Sequence, residues 1–256
     1  MTRVKETLRR IITAFPGGKA ILRSRHYYRE YFRLARIGNA KEIFWHHYAV
    51  NEWGSEESVS GPGSGIRYTE NIRKEIPRLV SELGVKVILD APCGDYNWFR
   101  MIAFENEITY IGGDIVEPLI ERNQSLFGRQ NTKFICLDIV HEALPKADLW
   151  LCRDCLLHLS NRDILLVIDN FLRSDIRYLL TSTNSNCDEN CDIPTGSCRL
   201  LNLRLPPFSF GEPMTLIDDW IEGYPVRHLA LWERESLRNG LTSGNAHDWV
   251  KTGAGK

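Results

Sequence analysis

No unbroken apolar run in the 256 residues reaches the roughly 18 to 20 residues that a bilayer crossing requires, so no membrane span is expected. No secretion signal is expected either. Residues 1–10 are charged, and Ile11–Phe15 is too short for the apolar centre of a leader, which points to the cytoplasm. An excess of one charge sign is lacking: 32 Lys and Arg stand against 33 Asp and Glu. Formal net charge is -1, and nothing global favours a nucleic acid or an anionic membrane, although the first 40 residues are locally rich in Arg and Lys. Paired Cys-x-x-Cys knuckles are also absent. Cys152 and Cys155 have that spacing alone, and Cys187, Cys191 and Cys198 do not supply a second pair, so no metal is expected. Seven cysteines are an odd number, and Cys93, Cys136, Cys152 and Cys155 fall in or beside strand-like runs, as reduced thiols do.

What is present suits a soluble globular chain. Apolar residues make up 43% and charged residues 25%, enough for a sizeable core. Residues 1–53 read as a helical arm, 54–238 as the main domain and 239–256 as a flexible Gly- and Ser-rich tail. In the arm, Tyr27, Tyr28, Tyr31 and Phe32 recur at helical spacing, as do Ile43, Phe44, His47 and Tyr48. The first set reads as packing, or alternatively as a homodimer contact. Residues 54–65 form a polar loop of a length common in lids and binding loops, or else a linker. Thr69 is placed to cap a helix ending before Gly84.

From residue 85 the pattern changes. Apolar runs at 85–90, 109–114, 132–138, 147–152 and 177–182 alternate with helix- or turn-like stretches at 96–104, 117–127 and 161–173. Such alternation predicts a doubly wound α/β fold with a mostly parallel sheet. The chain then reads as loop to about 214, and 227–232 as a late antiparallel strand.

Three of these runs end in an acid: Asp90, Asp114 and Asp138. Ligands of open α/β sheets sit at the carboxyl ends of strands, so the three acids are expected to line one crevice. Gly94, in the turn after Asp90, lets backbone approach a ligand closely. Asp114, about 20 residues beyond that turn, is placed to accept from ribose hydroxyls. Asp138 is placed to take an adenine amine, with Ile115 and Ile139 as an apolar wall.

The turn Asp90-Ala-Pro-Cys-Gly-Asp-Tyr-Asn-Trp98, with Tyr110–Ile115, Leu149–Asp154, His158-Leu-Ser160 and Tyr178–Thr183, resembles the class I S-adenosylmethionine-dependent methyltransferases. The likeness covers roughly residues 54–235 and is strongest to small bacterial methyltransferases with a D-x-P-C-G-D-x-x-W turn. It implies a seven-strand Rossmann-like sheet with S-adenosylmethionine as cofactor. The methionine part would lie on the turn (Asp90, Pro92, Cys93, Gly94, Trp98), the ribose on Asp114 and the adenine on Asp138. Pro92 and Tyr96 replace two glycines of the commoner D-x-G-x-G-x-G turn. A methionine tail carries no pyrophosphate, so the change disfavours a dehydrogenase more than a methyltransferase.

At the reacting end, His158 is the first candidate for a general base, because its ordinary pKa lies near neutrality. Asp154 is expected to orient it or to act as the base itself. Arg153 is expected to touch the cofactor edge or to hold an anionic acceptor by a bidentate contact. Ser64, Arg199 and Asn202 are further acceptor candidates. The expected activity is methyl transfer to a small-molecule or glycan-linked acceptor, at a sugar oxygen or phosphoryl-type group. Relatives implied by the resemblance are linked with polysaccharide modification. A noncatalytic scaffold that binds S-adenosylmethionine is the alternative.

Overall fold

The computed structural model describes residues 18–243. Two helices come first, α1 (Gly18–Ala35) and α2 (Ala40–Ala49), and the part of the expected arm before residue 18 lies outside the described residues. Asn39 begins α2 through a reciprocal cap: its side chain accepts from the Glu42 N–H, and the Glu42 carboxylate accepts from the Asn39 N–H. Helix α3 (Glu70–Glu82) starts after Thr69 as expected, but Thr69 does not cap it. The Thr69 hydroxyl turns back to the Gly65 carbonyl at 2.9 Å. Gly84, at φ +64, ends the segment in the left-handed region.

The sheet has seven strands in the order β3-β2-β1-β4-β5-β7-β6. These are β1 (Val87–Asp90), β2 (Thr109–Asp114), β3 (Thr132–Cys136), β4 (Leu149–Cys152), β5 (Tyr178–Thr183), β6 (Thr215–Asp218) and β7 (His228–Glu233). The first five run parallel, and β7 pairs antiparallel with both β5 and β6. The expected doubly wound, mostly parallel seven-strand Rossmann-like fold is therefore the one observed.

Alternate strand residues feed two cores, as the two-residue repeat of a strand requires. Leu89, Ile111, Trp150, Leu179 and Trp232 pack on one face with Ile164, Ile168 and Phe171 of α5 (Asn161–Arg173) and Leu237 of α6 (Arg234–Ser243). Ile88, Tyr110, Leu149, Leu151 and Leu180 pack on the other with Ile72, Ile76 and Val80 of α3 and Ile120 of α4 (Glu117–Phe127).

Three expectations change. Residues 96–104 hold only one 3-10 turn, Phe99–Met101, because the chain after Gly94 is drawn onto the preceding loop by contacts set out below. The stretch read as loop up to 214 runs directly into β6, whose Thr215, Leu216 and Asp218 are not buried and so show no continuous apolar run. The expected tail is helical as far as Ser243, within α6, and residues 244–256 lie outside the described residues.

Candidate active site

At the carboxyl ends of the parallel strands lies a cavity of about 530 Å³, within the usual range for small-molecule sites. It is lined by every candidate residue named above except Asn202. The Asn202 side chain instead organises its own loop. Its amide donates to the Cys187 carbonyl at 3.0 Å and its oxygen accepts from the Arg204 N–H at 3.1 Å.

The turn after β1 is built around Gly94. Its φ of +55 favours a residue without a side chain, and a Cβ there would collide with the Ser60 hydroxyl. The Gly94 N–H donates to Asp114 Oδ2 at 3.2 Å, and its carbonyl accepts from Asn123 Nδ2 at 2.7 Å. Cys93 joins the turn to β2 by donating its N–H to the Gly113 carbonyl at 2.8 Å.

The 54–65 loop is fastened to this turn. The Asp95 carboxylate accepts from the Ser58 hydroxyl and the Val59 N–H, both at 3.0 Å, and from the Ser60 hydroxyl at 3.3 Å. Asn97 Nδ2 donates to the Ser64 carbonyl and to Glu57, both at 3.1 Å. Ser60, Gly61 and Ser64 thus form a fixed wall of the cavity.

Two carboxylates sit deep at the strand ends. Asp90 accepts from the Tyr110 hydroxyl at 2.7 Å. Burial pushes its pKa up to about 7, against the opposing pull of Tyr110 and the Arg153 charge. Burial likewise pushes Asp114 up to about 6, opposed by the N–H groups of Val116, Gly94 and Ile115. Asp138 lies two residues past β3. Its oxygens accept from the Val140 N–H at 2.9 Å and meet His141 Nδ1 at 2.8 Å. Ile115 and Ile139 line the cavity together with Asp138.

Arg153 has a different place from the one expected. Its Nε and Nη2 meet Asp219 Oδ2 and Oδ1 at 2.9 and 2.8 Å, and Nη2 also donates to the Gly63 carbonyl at 2.6 Å. The guanidinium also lies 5.2 Å from the Trp98 ring centroid. An ion pair already occupies the fork that an anionic acceptor would need. Asp154 is likewise engaged, by Arg227 Nη1, and Arg227 Nε meets Asp219 Oδ2 at 3.0 Å. Burial would raise the Asp154 pKa, but the Arg227 and Arg153 charges outweigh it and hold the carboxyl below its ordinary value.

Asp154 therefore does not orient His158. The Ser197 carbonyl does, accepting from Nδ1–H at 2.9 Å. That bond selects the tautomer whose Nε2 carries the lone pair. Burial lowers the His158 pKa, which keeps the ring neutral, while Ser197 and the Asp154 charge pull the other way. Arg199 donates to the Leu159 carbonyl at 2.7 Å and to Asn161 Oδ1 at 3.1 Å, bracing the turn that carries His158.

Several lining residues went unassigned in the sequence. Phe44 and Tyr48 of α2, with Trp53, form an aromatic wall, and the Trp53 ring lies 6.0 Å from that of His158. His47 anchors α2 by meeting the Gly196 carbonyl at 2.9 Å. Gly196, at φ +97, lies so close to Ile43 that a Cβ would overlap it. Arg227 also lines the cavity, and its buried Nη2 has no partner among the described residues. Helical spacing marked Phe44 and Tyr48 as one face of a helix, but nothing local tied Asp219 or Arg227 to Arg153, 66 and 74 residues away.

No family model matches the chain, and no curated protein is detectably similar to it in sequence. Solved structures do share its fold. An S-adenosylmethionine-dependent methyltransferase from Leishmania major is similar at a TM-score of 0.57 and 14% identity, over 76% of this chain and 87% of that one. Magnesium protoporphyrin IX methyltransferase ChlM from Synechocystis PCC 6803, with bound S-adenosylmethionine, is similar at 0.53 and 14%, over 77% and 97%. N-methyltransferase NodS from Bradyrhizobium japonicum WM9 is similar at 0.50 and 14%, over 65% and 96%. At such identity the likeness is one of fold.

Proposed function

We propose that this protein transfers a methyl group from S-adenosylmethionine to a hydroxyl of a small or glycan-linked acceptor. One observation carries the reading: two buried carboxylates of raised pKa, Asp90 and Asp114, stand beside the Gly94 turn in the same cavity as a neutral His158. Buried carboxylates of this kind favour a cationic ligand, whose charge offsets the loss of water around them.

The residues fit that cofactor. The Gly94 turn leaves room for a chain to lie against backbone, with Pro92, Cys93 and Trp98 around it. Asp90 would face the ammonium, and Arg227 Nη2, buried without a partner among the described residues, would take the carboxylate. Asp114 would hold the ribose hydroxyls, and Asp138 the adenine amine between Ile115 and Ile139. When bound, S-adenosylmethionine supplies a methyl group already activated on a sulfonium.

The protein's part is then positioning and proton removal. His158 Nε2 would take the acceptor's hydroxyl proton as the oxygen gains the methyl group. Ser197 keeps the tautomer, and the Asp154 charge stabilises the imidazolium that results. Phe44, Tyr48 and Trp53 suit the apolar face of a sugar ring or another flat acceptor. With Arg153 held by Asp219, a neutral hydroxyl fits better than a phosphoryl group. Free thiols suit the reducing cytoplasm as the place of action.

Calorimetric titration with S-adenosylmethionine, then mass-shift screening of hydroxyl acceptors, tests the reading. Binding with transfer to a hydroxyl is expected. No binding would end it, and binding with no turnover on any acceptor would favour the scaffold alternative.

A further inference from the structure

Helix α1 turns four large apolar residues, Ile21, Tyr28, Tyr31 and Phe32, away from the core. Ile21, Tyr28 and Phe32 are 64%, 59% and 61% exposed. At about 100° per residue they fall within roughly 40° of one another on one stripe, with Tyr31 beside it. The opposite side faces the body: Leu34 is buried, and Arg23 meets Glu189 at 2.7 Å. Glu30, the acid of this helix, is held by Arg29 and Arg33.

The stripe is bordered by positive charge. Arg25 and Arg36 are exposed and form no ion pair among the described residues. Across residues 1–36 the sequence has ten Lys and Arg against two Glu, so the rest of a chain of net charge -1 is acidic by nine charges. The near-neutral total therefore hides a strongly basic end. Two copies meeting through this face would bring these like charges together. A surface of opposite charge would relieve them.

We propose that the exposed face of α1 docks on an anionic lipid bilayer, with Ile21, Tyr28, Tyr31 and Phe32 entering the interfacial layer and Arg25 and Arg36 meeting lipid headgroups. A helix with an aromatic stripe bordered by Arg and of low net hydrophobicity is the type that lies in a membrane interface rather than crossing it. The aromatic side chains sit at headgroup depth, and the Arg side chains reach the charge. Four residues, Arg36 to Asn39, join α1 to α2, which forms a wall of the cavity, so docking would hold that wall close to the lipid. The proposal stands whether or not the cavity transfers methyl groups.

Co-sedimentation of the full chain with vesicles tests it. Binding is expected to vesicles of phosphatidylglycerol and phosphatidylcholine in equal parts, to fall as salt is raised, and to be weak on phosphatidylcholine alone. Tyr28→Ser with Phe32→Ser, and separately Arg25→Glu with Arg36→Glu, should each weaken binding by about tenfold or more, with unchanged circular dichroism. The wild-type comparison of acidic and neutral vesicles needs no variant. A chain that stays in the supernatant with acidic vesicles, or variants that are folded and bind like wild type, would overturn the proposal. So would light scattering that shows a dimer broken by the Tyr28 and Phe32 changes, because a second copy would then own the face.

Discussion

Arg153 and Asp219 face each other as a two-pronged ion pair at 2.8 and 2.9 Å, with the Asp219 side chain wholly buried. Asp219 also meets Arg227, so one carboxylate balances two guanidinium groups beneath the cavity. Removing one partner of a buried pair leaves charge uncompensated, at a cost of about 3–5 kcal/mol. Asp219→Asn should therefore lower the melting temperature by roughly 6–20 °C, read by calorimetry. A melting temperature equal to that of wild type would show that the pair contributes nothing to folding.

Gly94→Ala should loosen the turn and the loop fastened to it. The residue would carry a side chain at φ +55, which costs roughly 1–2 kcal/mol before its collision with Ser60 is counted. Lower stability and weaker S-adenosylmethionine binding are expected together, measured by thermal melts and titration. Stability loss with intact affinity would separate the turn from the ligand.

Asp114→Asn removes the charge and leaves one acceptor oxygen where two now serve, Oδ2 for the Gly94 N–H and Oδ1 for the Val116 N–H. Hydrogen bonds to charged groups contribute about 1.5–3 kcal/mol, so affinity for S-adenosylmethionine should fall by roughly 10- to 150-fold. Titration calorimetry reads the change, with thermal melts as a check on folding.

His158→Gln should lower kcat by about 10²- to 10⁴-fold and leave cofactor affinity unchanged. The base must be neutral to act. Because burial lowers its pKa from 6.5, kcat in wild type should rise through a midpoint below 6.5 and stay level above it. A pH profile with a midpoint well above neutrality would exclude His158 as the base.

Stability of the ligand-free protein should fall as pH rises from about 4 to 7, as far as Asp90 and Asp114 contribute. Their folded pKa values, about 7 and 6, lie above the ordinary 3.8, so across that range the folded state binds more protons than the unfolded state. That contribution is complete below 3.8 and is lost through 6 and 7. Asp90→Asn should flatten the dependence in thermal melts across pH. An unchanged slope would place its origin in other groups.

Local pattern carried most of the fold. Buried parallel strands are continuous apolar runs, so β1, β2, β4 and β5 announce themselves within a few residues. Strand β6 does not, because three of its four residues stay unburied. The helix expected after Gly94 fails for a different reason: Asp95 and Asn97 bond to the 54–65 loop, about 35 residues upstream, and no window along the chain contains both partners.

The same division runs through the site. Asp90, Asp114 and Asp138 could be placed at one rim because each ends a strand-like run, and a parallel sheet brings such ends together. The roles of Arg153 and Asp154 could not be read that way. An arginine beside an aspartate looks free to hold an anion until folding brings in Asp219 and Arg227 from the β6–β7 edge. Charge acts through space rather than along the chain, so residue type and order could name the carboxylates of the cavity, whereas three-dimensional packing assigned each guanidinium its partner and set the His158 ring against the Ser197 carbonyl.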